Sequence, residues 1–98
     1  MKSIISKLNK QFENRIRLGI MSVLMVNETV DFNSLKDMLG VTDGNLASHL
    51  NSLEKHQLIE VHKEFVGRKP KTSYRATDSG RKAFSDHLDN LEKLLRQQ

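Results

Sequence analysis

Two groups of residues in this 98-residue chain have the chemistry to recognise a polyanion. Gly44, Ser48, Asn51, Ser52 and Lys55, with Asn45 on their flank, recur at helical spacing. They lie opposite an apolar stripe made by Leu46, Leu50 and Leu53. An asparagine amide can pair bidentately with adenine, and a serine hydroxyl can meet several bases or a phosphate. Gly44 would let the backbone come close to a ligand. The second group is Arg68, Lys69 and Lys71, gathered around Pro70. Clustered like charges repel one another, and a phosphate partner offsets that cost. Taken singly, these residues also read as a solvated helix face and an ordinary basic turn. Their occurrence together favours nucleic acid. Arg15, Arg17 and Lys36 are weaker candidates for backbone phosphates. His49, at the edge of the apolar stripe, reads as a half-buried packing residue rather than a base reader.

Other chemistries find little support. There is no cysteine, hence no disulfide framework and no thiolate metal site. The histidines at 49, 56, 62 and 87 offer no ligand pair on one helix face. Asp86, His87, Asp89 and Glu92 lack a second histidine at ligand spacing and read as solvated charges, so no metal is expected. Gly67 and Gly80 are isolated and form no phosphate-cradling loop. No nucleophile and base stand at readable spacing. A non-enzyme without a cofactor is expected.

The net charge of +4 is local rather than global. Residues 63–82 carry seven basic side chains against Glu64 and Asp78, a net of +5, so the rest of the chain sums to −1. The length fits one domain, residues 1–98. Hydrophobic residues are 37% of the chain, a thin core that calls for a second copy or a partner. The longest apolar stretch, Ile16 to Val26, is too short to span a bilayer, and the start has no secretory apolar run. A cytoplasmic protein with no membrane partner is the expectation.

Periodicity gives the elements that must position these groups. Ile4, Ile5, Leu8 and Phe12 share one face of a helix over 1–12. Asn14 caps a second helix, Arg15 to Val26, apolar nearly all round and so the centre of the core. Gly19 inside it costs about 1 kcal/mol against alanine, which close approach of another element would offset. Val30-Asp31-Phe32 is a brief extended stretch. Asn33 caps a helix from Ser34 to Leu39, with Leu35, Met38 and Leu39 inward. Gly40 ends it and Thr42 caps the next, Asp43 to Lys55. Ile59, Val61 and Phe65 then alternate with Glu60, His62 and Glu64, a half-buried strand. A basic turn over 66–71 returns the chain through a second strand, Thr72 to Ala76. Thr77 caps a final helix over 77–98, in which Phe84, Leu88, Leu91 and Leu95 make a coiled-coil seam.

Helix, short turn and helix make a helix-turn-helix. With the basic hairpin that follows, the order is α-α-(β)-α-α-β-wing-β-α. The fold class is therefore mainly α with a β-hairpin wing, a winged helix-turn-helix. The apolar stripe over 84–95 outruns a body this small. Together with Ile4, Ile5, Leu8 and Phe12 it is expected to form the interface of a homodimer.

Three stretches strengthen this. Asp43-Gly44-Asn45-Leu46-Ala47-Ser48-His49-Leu50, Phe65-Val66-Gly67-Arg68-Lys69-Pro70-Lys71-Thr72-Ser73-Tyr74 and Thr77-Asp78-Ser79-Gly80-Arg81-Lys82-Ala83-Phe84 resemble the small winged-helix regulators of the broad ArsR/MarR-like class. The resemblance covers about residues 14 to 88. It implies a homodimeric, sequence-specific regulator of transcription on double-stranded DNA with a two-fold-related operator. Gln57 departs from the pattern where a helix-ending glycine is common, and Ala76 where a larger apolar residue is common. Two other functions share these features. One is a winged-helix module that binds protein. The other is a ligand-sensing regulator with its effector site at the dimer interface, although no obligate small-molecule ligand is evident.

Overall fold

Hydrogen bonds from backbone amides to side-chain oxygens decide where the elements begin in the computed structural model, which describes residues 2–97. In chain order these are α1 (Lys2–Ile5), a 3-10 turn (Lys10–Phe12), α2 (Arg15–Val26), β1 (Val30–Asp31), α3 (Phe32–Leu39), α4 (Asp43–Lys55), β2 (Ile59–Val66), β3 (Lys69–Ala76) and α5 (Asp78–Arg96). The Asn14 carboxamide oxygen accepts from the amides of Ile16 and Arg17 at 2.9 and 3.1 Å. Thr42 Oγ1 accepts from the Asn45 amide at 3.2 Å, and Thr77 Oγ1 from Gly80 at 2.9 Å. Each such cap is worth about 1 kcal/mol.

The cap of α3 is Asp31, not Asn33. Its carboxylate accepts from the Ser34 amide at 3.2 Å and from the Ser34 hydroxyl at 2.7 Å, a two-point attachment that Asn33 could not make. The helix therefore starts at Phe32. The expected helix over 1–12 also fails. Its first turn stops at Ile5, and the Asn9 side chain accepts from the Gln11 amide at 2.9 Å to open the 3-10 turn. A side chain that bonds its own backbone two residues on competes with the helix ladder. The outermost positions of the two expected terminal helices, Met1 and Gln98, lie outside the described residues.

The core forms where α2, α4, the sheet and the first half of α5 converge. Ile20, Met21, Leu24, Leu35, Leu46, Leu50, Leu53 and Ile59 are fully buried. Gly19 has its compensating contact: a Cβ there would stand 2.9 Å from Leu39 Cδ2, so α2 and α3 pack closely. Met38, expected inward, is 60% exposed on the outer side of α3.

The three strands run in the order β1-β3-β2, antiparallel throughout. β1 reaches only Ser73 and Tyr74, while β2 and β3 pair along their whole length. The loop joining them is shorter than expected. Val66 faces Lys69, leaving Gly67 and Arg68 as a two-residue turn, and Pro70 stands within β3. Gly67 has φ +66° while Arg68 does not share the positive φ, the pattern of a type II′ hairpin turn.

Candidate nucleic-acid interface

The helix-turn-helix is α3, Gly40 with its turn, and α4. Gly40 has φ +62°, the left-handed conformation that ends α3, and its amide donates to the Lys36 carbonyl at 2.9 Å. α4 is then held by Leu46, Leu50 and Leu53, all buried. This rotation leaves Gly44, Asn45, Ser48, Asn51 and Lys55 exposed along one side. Ser52 is a correction. It is half-buried, and its hydroxyl donates to Gln11 Oε1 at 2.8 Å, so it is turned toward the body.

The weaker phosphate candidates divide similarly. Arg15 is exposed. Arg17 is spent inside the protein, with Nε donating to the Gln11 carbonyl at 2.7 Å and Nη1 to His49 Nδ1 at 3.0 Å. Lys36 pairs with Asp43 at 2.7 Å, and this hydrogen bond raises its pKa. The pair cancels the one carboxylate in the first turn of α4. Its effect is to remove a negative charge from the end of the helix that carries Gly44 and Asn45.

The hairpin projects from the body. Every residue from His62 to Lys71 is exposed, including Arg68, Lys69 and Lys71. The charge run over 63–82 is more divided than the sequence suggests. Arg81 reaches across to the end of α2 and donates to the carbonyls of Met25 and Leu24 at 3.2 and 3.3 Å. Lys82 pairs with Asp86 at 3.1 Å. Both belong to α5, so the basic character of the tip rests on Lys63, Arg68, Lys69 and Lys71. Phe65 is a second correction: it keeps the expected alternation but is 75% exposed, because the strand outruns the body.

A network that periodicity does not reveal joins the N-terminal turn to α4 and α5. Besides Ser52 and Arg17, it includes His56, which donates through Nδ1 to the Ser52 carbonyl at 2.8 Å. On α5, His87 is buried rather than solvated, and its Nδ1 accepts from the Asn9 amide at 3.1 Å. Nδ1 must therefore be unprotonated. Burial, the larger influence, holds this imidazole below its usual range, against a weaker pull upward from Glu13. The His49 imidazole is also lowered, first by burial and then by the neighbouring Arg17 charge. The partners that link separate elements, Arg17 with His49, Gln11 with Ser52 and Asn9 with His87, are 32 to 78 residues apart in sequence, and no local pattern announces them.

The seam expected on α5 is rotated. The buried positions are Gly80, Phe84, His87 and Asn90. Phe84 meets Phe12 edge to face, ring centres 5.1 Å apart, and Phe12 also packs on His87 at 5.3 Å. Phe12 and Phe84 thus belong to the core of a single chain and are not free for a partner. Ile4 and Leu8 are half-buried, and Ile5, Leu88, Leu91 and Leu95 remain exposed. α1 packs on α5 within the same chain. Among the described residues, no three His, Asp or Glu side chains come together as a metal site, and no helix is long and apolar enough to cross a membrane.

Known proteins share this fold. The winged helix DNA-binding domain family matches residues 16–95. An uncharacterised protein of Methanocaldococcus jannaschii is 35% identical over 87 residues, covering 89% of this chain and 95% of its own. The solved structure of a transcriptional regulator homologue from Pyrococcus horikoshii OT3 superposes with a TM-score of 0.85 at 29% identity. The match covers 97% of this chain and 92% of that one. NadR, solved in complex with 4-hydroxyphenylacetate, shares the fold at a TM-score of 0.73 and 21% identity, covering 98% of this chain and 67% of its own.

Proposed function

Because this chain belongs to the winged helix DNA-binding domain family, and is a DNA-binding regulator rather than an enzyme, we propose that it acts as a homodimeric, sequence-specific transcriptional regulator of the ArsR/MarR-like class in the cytoplasm. α4 enters the major groove and presents Asn45, Ser48 and Asn51 to base edges, with Gly44 allowing close backbone approach and Lys55 reaching phosphate. The hairpin lies over the adjacent minor groove, where Arg68, Lys69 and Lys71 meet the backbone. Arg15 adds a flanking phosphate contact. The observation that carries this reading is the pairing of an exposed, polar α4 face with a projecting basic hairpin on one small body.

The dimer is assigned to the exposed α5 positions Leu88, Leu91 and Leu95 together with Ile4, Ile5 and Leu8. Two copies would place their α4 helices in successive major grooves, about 34 Å apart. Selection of bound sequences from random duplex DNA tests the whole reading, and a palindromic consensus is the expected result. Arg68→Ala and Lys71→Ala should each weaken binding to all sequences and lower the salt slope by about 1. Asn45→Ala or Ser48→Ala should change sequence preference instead. If Arg68→Ala combined with Lys69→Ala leaves binding unchanged, the hairpin does not touch DNA. If no duplex is bound at about 100 mM salt, the basic hairpin serves an acidic protein.

A further inference from the structure

The hairpin carries an apolar element that phosphate binding does not use. Phe65 sits one residue before the end of β2, opposite Pro70, and is 75% exposed. With a two-residue turn, Val66 and Lys69 form the hydrogen-bonded closing pair. Phe65 and Pro70 are then a non-hydrogen-bonded pair, in which facing side chains stand closest. Proline is tolerated there because β1 pairs only with Ser73 and Tyr74 and does not extend along this part of β3. A tyrosine-poor, small-cored protein thus leaves one of its four phenylalanines in solvent, at the far end of a projection.

The two faces of the hairpin differ in chemistry. Register places Ile59, Val61, Lys63 and Phe65 on one face with Ala76, Tyr74, Thr72 and Pro70. Near the body this face is the one buried against the helices, α4 among them. Farther out it is apolar and cationic, with Lys63 below Phe65 and Arg68 beyond it. Both carboxylates of the hairpin, Glu60 and Glu64, lie on the opposite face, across from Arg75 and Lys71. The side that turns toward α4 therefore has no acid, one cation and an aromatic ring. A hairpin set into a groove meets one wall with each face, so a duplex lying along α4 would meet this side with Phe65 while Lys69 and Lys71, on the reverse face, reach the phosphates of the other wall.

We propose that Phe65, backed by Pro70, is an apolar wedge that seats in the DNA minor groove and bends the duplex. The proposal rests on the DNA-binding reading above and adds a residue and a deformation to it. The charge around the ring selects a polyanion. The ring itself fits the walls of a groove about 6 Å wide, where apolar side chains can part a base step and kink the helix. Lys63 and Arg68 would hold the flanking phosphates while the wedge is seated. Such a contact also gives sequence preference without hydrogen bonds, because flexible pyrimidine–purine steps deform at lower cost.

The test compares wild type, Phe65→Ala and Phe65→Leu on a selected duplex of about 30 base pairs, labelled at both ends for energy transfer. Affinity is measured at several salt concentrations, and thermal unfolding is followed in parallel. Wild-type binding to the duplex decides the underlying DNA reading by itself. Given that binding, Phe65→Ala should bind roughly tenfold more weakly with an unchanged salt slope. It should also lose most of the bend and unfold at the wild-type temperature. Phe65→Leu, still apolar, should retain most of both. Wild-type affinity and bend in Phe65→Ala would overturn the wedge. So would a lowered unfolding temperature in that variant, which would make the ring a structural part of the hairpin.

Discussion

At the scale of single residues, two side chains hold positions that ordinary preferences disfavour. Gln57 has φ +61° at the end of α4. The Leu58 amide donates to the Leu53 carbonyl at 3.0 Å and the Gln57 amide to Glu54 at 2.9 Å, the paired bonds of a Schellman motif. Glycine fits this site without a Cβ penalty, and the Gln57 carbonyl that accepts from Thr77 Oγ1 at 2.7 Å would remain. Gln57→Gly should therefore stabilise the protein by about 0.5–1 kcal/mol, measured by urea unfolding. His87 gives a pH dependence. Its folded pKa lies below the ordinary 6.5, so the unfolded chain binds the proton first on acidification. Stability should be full above about pH 6.5 and fall as pH drops through the folded pKa. His49 acts in the same direction. His87→Asn keeps an acceptor close to the Nδ1 position for the Asn9 amide and should reduce this loss in unfolding curves taken between pH 5 and 8. Wild-type pH dependence in that variant would remove His87 from the account.

At the scale of elements, two glycines inside helices make opposite demands. A Cβ on Gly80 would stand 1.9 Å from the Leu58 carbonyl oxygen, a backbone atom that cannot step aside. Gly80→Ala should cost about 3 kcal/mol, because α5 must shift from the start of the sheet. A Cβ on Gly19 would meet only the end of the Leu39 side chain at 2.9 Å. There, the gain in helix propensity of about 1 kcal/mol offsets the adjustment, and Gly19→Ala should stay within roughly 0.5 kcal/mol of wild type. Thermal unfolding of the two variants tests the contrast. Elements were also where the sequence was most legible. The caps at Asn14, Thr42 and Thr77 and the stop at Gly40 act within four residues, so local pattern suffices to find them. Asp31 and Asn33 are both good caps, and only the second bond, donated by the Ser34 hydroxyl to Asp31, separates them. The alternation through Phe65 assigned its face correctly, yet a period of two says nothing about where the body ends. The same limit applies to α5, since Phe84 at seam spacing serves an intrachain contact with Phe12 as well as it would serve a dimer.

At the scale of the whole molecule, the hairpin and the far end of α5 reach beyond the body. The radius of gyration is 14.8 Å, against about 13 Å for a compact chain of this length, and the long axis measures 55 Å. Leu88, Leu91 and Leu95 are 45%, 38% and 74% exposed on this outer helix. Leu88→Glu combined with Leu95→Glu should halve the solution mass in light scattering and leave the helical content intact. A wild-type mass of one chain would remove the proposed dimer, and an unchanged dimer mass in the variant would remove it from α5. The polar α4 face and basic tip were readable because helix wheel and charge run are local properties. The links from Asn9, Gln11 and Arg17 were not, because their partners come from distant parts of the chain. Those links bear on the order of folding. Joining Asn9 to His87 closes a loop of about four-fifths of the chain, and joining Gln11 to Ser52 closes about two-fifths of it. Contacts so far apart in sequence form after the local helices and the hairpin. Residues 2–12 should therefore dock as a late step onto an assembled body. In native-state hydrogen exchange, the Asn9 amide would then open at lower free energy than Leu50 or Leu53 in α4, as a separate cooperative unit.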